Sequence, residues 1–175
     1  MEMAAISEDM RDFIQGLPKA ELHVHLEGTL GPETVLKLAA RNNLDYPLKT
    51  VKDIQDALNN RTAGLVSFLD LHYLFVSVIK TREDFHEITY EFLRKCRENN
   101  VIYVETKFDP QLHTEHGIPF HDIITGIDQG RKQGQRDFGV EANLIMCINR
   151  ERTLESAYET LDHAHPYRHL ITGLG

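Results

Sequence analysis

The fold is decided by one short stretch of sequence, Glu21-Leu22-His23-Val24-His25-Leu26-Glu27-Gly28. Side chains on a β-strand alternate between its two faces, so the polar and the apolar residues of this stretch are expected on opposite sides. The apolar side is expected to pack in a core. The other side then carries both histidines and both glutamates, and it is the candidate functional face.

The two histidines of this stretch, His23 and His25, are spaced to lie side by side on the polar face. Imidazole nitrogen is a preferred ligand of zinc and related first-row metals, so the pair predicts part of a metal site. The alternative is a solvated strand face that carries two histidines. Gly28 and Gly31 follow at once, as at a strand-to-helix turn, and together with the apolar opposite face they favour the metal site.

Length and composition predict a single domain over residues 1–175 of the water-soluble, globular class. The formal net charge of −8 argues against nucleic acid or an anionic membrane as a partner, because both reward clustered lysine and arginine. The two cysteines, Cys96 and Cys147, give no disulfide framework, which predicts a cytoplasmic protein. The sequence also lacks an apolar run of the roughly 18 residues needed to span a bilayer.

Strands and helices alternate along the rest of the chain. Strands are predicted at residues 20–26, 101–108, 139–149 and 170–175. Helices are predicted at residues 7–16, 32–42, 50–58, 65–79, 81–99, 119–131 and 153–161. This rhythm predicts an α/β fold with right-handed crossovers and a parallel sheet: about four βα units plus inserted helices, or the first half of a TIM-type (β/α)8 barrel. Exposed strand edges of such a sheet predict self-association.

The inserted helix at 65–79 is apolar around most of its circumference, so it is predicted to be buried on more than one side. One stripe of this helix carries Leu65, Phe68, Leu69 and His72 at helical spacing. From the residues alone, this stripe is interpreted as core.

The stretch from Leu17 to Leu30 resembles the opening signature of the adenosine/adenine deaminase family of metal-dependent amidohydrolases. The resemblance continues in Phe68-Leu69-Asp70 and in Phe108-Asp109-Pro110-Gln111-Leu112-His113-Thr114. The second block is similar to the adenine deaminase subgroup, since typical adenosine deaminases differ at the place of Asp109. The resemblance extends from about Leu17 to Gly175.

The resemblance implies specific roles for residues of this sequence. His23 and His25 are implied as metal ligands, with zinc as the ion. The residues implied to bind substrate are Glu27, Leu65, Phe68, Leu69, His72 and Asp109. Glu27 either fills the space that a ribose would need, which fits a free-base substrate, or only accepts backbone donors in the following turn. His72 departs from the bulky apolar residue expected at its place.

The remaining polar candidates are weaker. Glu105, Lys107 and Asp109 alternate along the second strand and are predicted to face the barrel interior, where polar groups at strand ends bind ligands. The other histidines are interpreted as structural or solvated; these are His86, His113, His116, His121, His163, His165 and His169.

The implied activity is zinc-dependent hydrolytic deamination of adenine to hypoxanthine and ammonia in purine salvage. The family's third histidine ligand and its His-x-Gly-Glu general acid are not found in the sequence, so no catalytic residue is assigned here and the acid is expected beyond Gly175. The polypeptide alone is therefore expected to bind metal weakly and to deaminate slowly or not at all. The alternatives are an adenosine deaminase, an amidohydrolase acting on another amine or amide, and a non-catalytic half-barrel that binds or assembles.

Overall fold

Four parallel β-strands form one sheet in the order β1-β2-β3-β4, so each strand lies beside the next one along the chain. The computed structural model describes residues 7–60 and 65–175, without the side chains of residues 60 and 65–67. The strands are β1 (Lys19–His25), β2 (Val101–Phe108), β3 (Glu141–Met146) and β4 (Gly173–Leu174). Parallel pairing of sequence neighbours confirms the predicted α/β half-barrel architecture.

One of the described helices precedes β1, and the others lie between the strands in sequence. The helices are α1 (Glu8–Gly16), α2 (Pro32–Arg41), α3 (Val51–Asn60), α4 (Leu65–Val76), α5 (Arg82–Glu98), α6 (Gln111–Thr114), α7 (Phe120–Phe138) and α8 (Leu154–Ala164). Short 3₁₀ turns occur at Leu26–Gly28 and His165–Leu170. The main core lies between the sheet and these helices. No helix in the described ranges is long and apolar enough to cross a membrane.

Helix α7 continues seven residues past the predicted end at Arg131, and the reason is its packing against α5. Gly126, Gly130 and Gly134 lie four residues apart on one face of α7, and this face meets α5 at backbone distance. A Cβ atom built on Gly130 would lie 2.5 Å from the carbonyl oxygen of His86. These glycines are thus the contact surface of a helix that is longer than predicted.

Replacing Gly130 with alanine is expected to destabilise the protein, although alanine is the better helix former by about 1 kcal/mol. The new methyl group would meet the backbone of α5, and neither helix can move without disturbing the core. We expect a net loss of about 2 kcal/mol in the free energy of unfolding, measured in urea. The control is Gly16→Ala, where nothing lies within 4 Å of the added Cβ atom. Equal stability of the two variants would contradict this packing.

The prediction that Leu22 belongs to the core is wrong, because its side chain is 55% exposed. Among the described strands, β1 pairs only with β2, so one of its edges is uncovered, and the residues from Ala20 to His23 are exposed. The pairing of β1 with β2 also slips by one residue between Glu21 and Val24. Such an irregularity bends a strand and redirects its side chains, and it is common beside active sites.

Three further boundaries differ from the sequence prediction. The third strand, predicted at 139–149, is limited to Glu141–Met146, and the fourth, predicted at 170–175, to Gly173–Leu174. Residues before the fourth strand form a 3₁₀ turn instead. Helix α4 ends at Val76 rather than at residue 79.

Asp84, at the start of α5, is buried and links α5 to the end of α2 through its carboxylate; we call this set of contacts the Asp84 junction. Its Oδ2 atom accepts hydrogen bonds from the backbone N–H groups of Lys80 (2.8 Å) and Thr81 (2.9 Å) and from Nδ2 of Asn42 (2.8 Å). Its Oδ1 atom pairs with the guanidinium of Arg41. Burial opposes ionisation, but these donors together hold the pKa of Asp84 below its ordinary value.

Candidate metal and purine site

A cavity of about 580 Å³ opens at the carboxyl ends of β1, β2 and β3. In parallel α/β sheets this edge is where functional groups gather. Its lining combines both histidines of the opening stretch with groups from β2, from the segment after β3 and from α4. The residues that line it and bear on function are His23, His25, Phe68, Leu69, His72, Lys107, Asp109 and Cys147.

His23 and His25 lie side by side, as their spacing predicts. Their ring centroids are 6.0 Å apart with an angle of 41° between the planes, and both rings line the same cavity. The strand irregularity just before Val24 does not turn either ring away. The two imidazoles are thus presented to one shared space.

Asp109 makes a direct contact with the ring of His25. Its Oδ2 atom lies 2.5 Å from Nδ1 of His25, and the contact joins the end of β1 to the segment after β2. This hydrogen bond raises the pKa of His25 and outweighs the opposite effect of burial. A carboxylate on one ring nitrogen leaves Nε2 as the free lone pair, which is the usual arrangement of a metal-ligating histidine.

Glu27 lies beneath the cavity and not in its lining. It belongs to the 3₁₀ turn after β1 and is 1% exposed, so the extended strand that would have placed it beside the histidines ends too early. Its Oε1 atom accepts the backbone N–H of Asp109 at 2.9 Å and lies 3.2 Å from Nε2 of His113. Its Oε2 atom is buried with no hydrogen-bond partner in the described part of the chain. Burial opposes its ionisation, but the contact with His113 lowers the pKa of Glu27 overall.

His113 is a functional candidate that sequence reasoning missed, because the sequence placed it in a polar loop. It lies in the short helix α6, is 1% exposed and contacts Phe85 edge-on with ring centroids 4.7 Å apart. The interpretation of His113 as structural agrees with this burial. Its direct contact with Glu27 adds a link to the site that no local pattern shows.

Helix α4 forms one wall of the cavity. The rings of Phe68 and His72 stack with centroids 6.1 Å apart and an angle of 10° between the planes, and Leu69 lies beside them in the lining. Burial lowers the pKa of His72. The prediction that this helix is buried on more than one side is wrong, since Phe68 is 47% exposed at the cavity. The side chain of Leu65, the fourth predicted wall residue, lies outside the described residues.

The family model described as adenosine deaminase matches residues 18–175. The chain belongs to the adenosine deaminase family. It is 42% identical to an adenine deaminase of Psychrobacter cryohalolentis over 95% of this chain and 49% of that protein. It also superimposes on the crystal structure of an adenine deaminase from Arthrobacter aurescens, with a TM-score of 0.85 and 34% identity over 90% of this chain and 48% of that one.

A further similar solved structure is that of an amidohydrolase from Burkholderia ambifaria with bound zinc. It has a TM-score of 0.84 and 27% identity, and the match covers 98% of this chain and 47% of the relative. The chain thus spans about half the length of the relatives it matches. Family membership and fold class both confirm the predictions made from the opening stretch.

The donor groups around the cavity suit the kind of metal that this family implies. Besides the two imidazoles, a carboxylate oxygen of Asp109 and the thiol of Cys147 come within 4.8 Å of each other and of a His25 ring nitrogen. Burial raises the pKa of the Cys147 thiol to about 11. The sequence prediction missed Cys147, because the third strand was predicted to continue past it to residue 149, whereas β3 ends at Met146 and leaves Cys147 at the end of the strand. Nitrogen, oxygen and sulfur donors together match zinc better than magnesium or calcium.

Proposed function

We propose that this chain provides the metal-binding half of a zinc-dependent aminohydrolase that converts adenine and water to hypoxanthine and ammonia. The observation that carries the proposal is the pair His23 and His25, with Asp109 on the Nδ1 atom of His25, all lining one cavity. The cavity volume of about 580 Å³ is within the range of small-molecule sites, about 300–1,000 Å³. A zinc ion held by the two histidines would lower the pKa of water enough to supply hydroxide near neutral pH.

The chain's own residues would orient the reactants. Asp109 fixes the ring of His25, and the stacked pair Phe68 and His72 on α4 offers a flat wall against which a purine can lie. Leu69 adds apolar surface to this wall, and Lys107 adds a cation to the lining of the cavity.

Adenine is favoured as the substrate over adenosine. Relatives named adenine deaminase are 40–43% identical to this chain, and the matched part covers about half of each relative. The proposed substrate role of Glu27 becomes indirect: with its carboxylate beneath the cavity, it would shape the floor and not bind a sugar hydroxyl. Cytoplasmic location, absence of nucleic-acid partners and self-association through strand edges stay predictions.

A fusion protein tests the proposed function. The chain is joined to the part of the Psychrobacter cryohalolentis adenine deaminase that follows the matched half, and ammonia release is measured with zinc present. We expect release from adenine at least about tenfold faster than from adenosine, and slow or no release by the 175-residue chain alone, since catalytic zinc usually has three protein ligands.

The control is the same fusion with His25→Ala, which should be inactive. A folded, zinc-loaded fusion that acts on adenosine but not on adenine would select the adenosine deaminase alternative. A fusion that binds zinc but acts on neither compound would contradict purine deamination. Rapid ammonia release by the 175-residue chain alone would contradict the assignment of the missing catalytic groups to the other half.

A further inference from the structure

A buried chain of contacts leads from His113 to the candidate metal ligand. His113 contacts Oε1 of Glu27 at 3.2 Å, the same oxygen accepts the N–H of Asp109 at 2.9 Å, and Oδ2 of Asp109 lies 2.5 Å from Nδ1 of His25. The side chains of His113 and Glu27 are each 1% exposed. Each contact joins two different segments of the fold, so this series of contacts links α6 to the end of β1.

We propose that His113 is a positioning residue, which acts through Glu27 and Asp109 to fix the tautomer and orientation of His25. Glu27 has one oxygen shared by two partners and a second oxygen with no hydrogen-bond partner among the described residues. A buried carboxylate in that condition depends strongly on the donors it has. If the donor from His113 is lost, the carboxylate is expected to shift, and its hydrogen bond to the Asp109 backbone weakens.

The consequence reaches His25 through geometry. Asp109 can present Oδ2 to Nδ1 of His25 only while its own backbone is fixed at the end of β2. With that contact in place, Nδ1 carries the proton and Nε2 is the free ligand atom. Without it, the neutral imidazole of His25 is free to place its proton on Nε2, and the ligand atom is lost.

Packing also keeps His113 in one orientation. The ring meets Phe85 of α5 edge-on at 4.7 Å, and Phe85 is itself fully buried. The neighbouring His116, three residues along the same segment, is exposed and has no place in this chain of contacts. It therefore provides a matched control for substitutions of histidine in this segment.

The test measures the tautomer of His25 directly, by long-range ¹H–¹⁵N NMR on the metal-free 175-residue chain at a pH where imidazole is neutral. Wild type and His116→Leu should show His25 protonated at Nδ1. His113→Leu should show an increased fraction protonated at Nε2, and His113→Gln, which keeps a donor, should restore the wild-type spectrum. A folded His113→Leu variant with an unchanged His25 tautomer would overturn the proposal.

A second readout is zinc affinity. This readout rests on the proposed function, because it assumes that His25 binds zinc. His113→Leu should weaken zinc binding between about 10- and 100-fold relative to His116→Leu, the usual range for groups that orient a ligand. Zinc affinity is measured on the fusion protein. If the tautomer shifts in the 175-residue chain but the fusion with the wild-type sequence binds no zinc, the proposed function fails and the positioning role stands. Equal zinc affinity of the two variants, with an unchanged tautomer, refutes the positioning role.

If His113→Leu does not fold, measurements on the wild-type protein alone test the positioning role. The contacts require His113 to be protonated at Nε2 and the Asp109 amide to be protected from hydrogen exchange. His113 found as the neutral form with a bare Nε2, together with a rapidly exchanging Asp109 amide, would overturn the proposal.

Discussion

Replacing His25 with alanine is expected to weaken zinc binding by more than about 100-fold, the largest effect of any substitution considered. The imidazole ring of His25 lies beside the ring of His23 in the same cavity, and its Nδ1 atom contacts Asp109. Losing a group that only orients a ligand costs about 10- to 100-fold in affinity, so losing the ligand should exceed that range. Affinity is measured by competition with a zinc indicator on the fusion protein, which supplies the further ligands that a catalytic zinc needs.

The variant His169→Ala is the control for this measurement, because His169 is an exposed histidine outside the cavity lining. It removes the same side chain from the surface and should leave zinc affinity unchanged. Equal zinc affinity of His25→Ala and wild type would refute the metal role of His25. Equal weakening by both variants would show that the bound zinc is spread over surface histidines.

The Asp84→Asn variant is expected to lose about 3 kcal/mol of stability, the largest effect among substitutions away from the cavity. Asparagine keeps the size of the side chain but replaces one acceptor oxygen with a donor. In one orientation its NH₂ group faces three donors, from Lys80, Thr81 and Asn42; in the other it faces the guanidinium of Arg41. Neither orientation satisfies the junction, so urea unfolding should show a clearly lower midpoint.

The effect of Asp84 should also depend on pH in a defined direction. The pKa of Asp84 is lowered in the folded protein, whereas the unfolded chain has the ordinary value of about 3.9. Its contribution is therefore complete above the unfolded pKa and is lost as the pH falls through the folded one. The stability gap between wild type and Asp84→Asn should shrink in acid. The control Asp45→Asn, on a fully exposed side chain, should show no measurable gap at neutral pH.

Local sequence signals predicted most of the elements because their physical causes are local. The second strand was predicted at the bounds that the structure shows, since alternation and the flanking asparagines act within a few residues. Thr81 and Asp84 form the capping box that their spacing suggests. The side-by-side placement of His23 and His25 is also local, because it needs only the pleat of one strand.

The rest of the site depends on residues that are distant in sequence, and no short-range pattern specifies such contacts. His25 and Asp109 are 84 residues apart, and Glu27 and His113 are 86 apart. Only the completed sheet order brings these pairs together. The same limit explains the wrong end of α7, since the effect of its glycines depends on the backbone of another helix.

Helix α4 stands outside the strand-helix alternation, in the insertion between α2 and β2, yet it lines the same cavity as the histidines. The α4 wall and the histidine pair are therefore encoded in separate stretches of the gene. On the proposed function, a combinatorial library confined to Phe68, Leu69 and His72 would change the substrate wall while leaving the sheet and the candidate metal ligands His23 and His25 as they are.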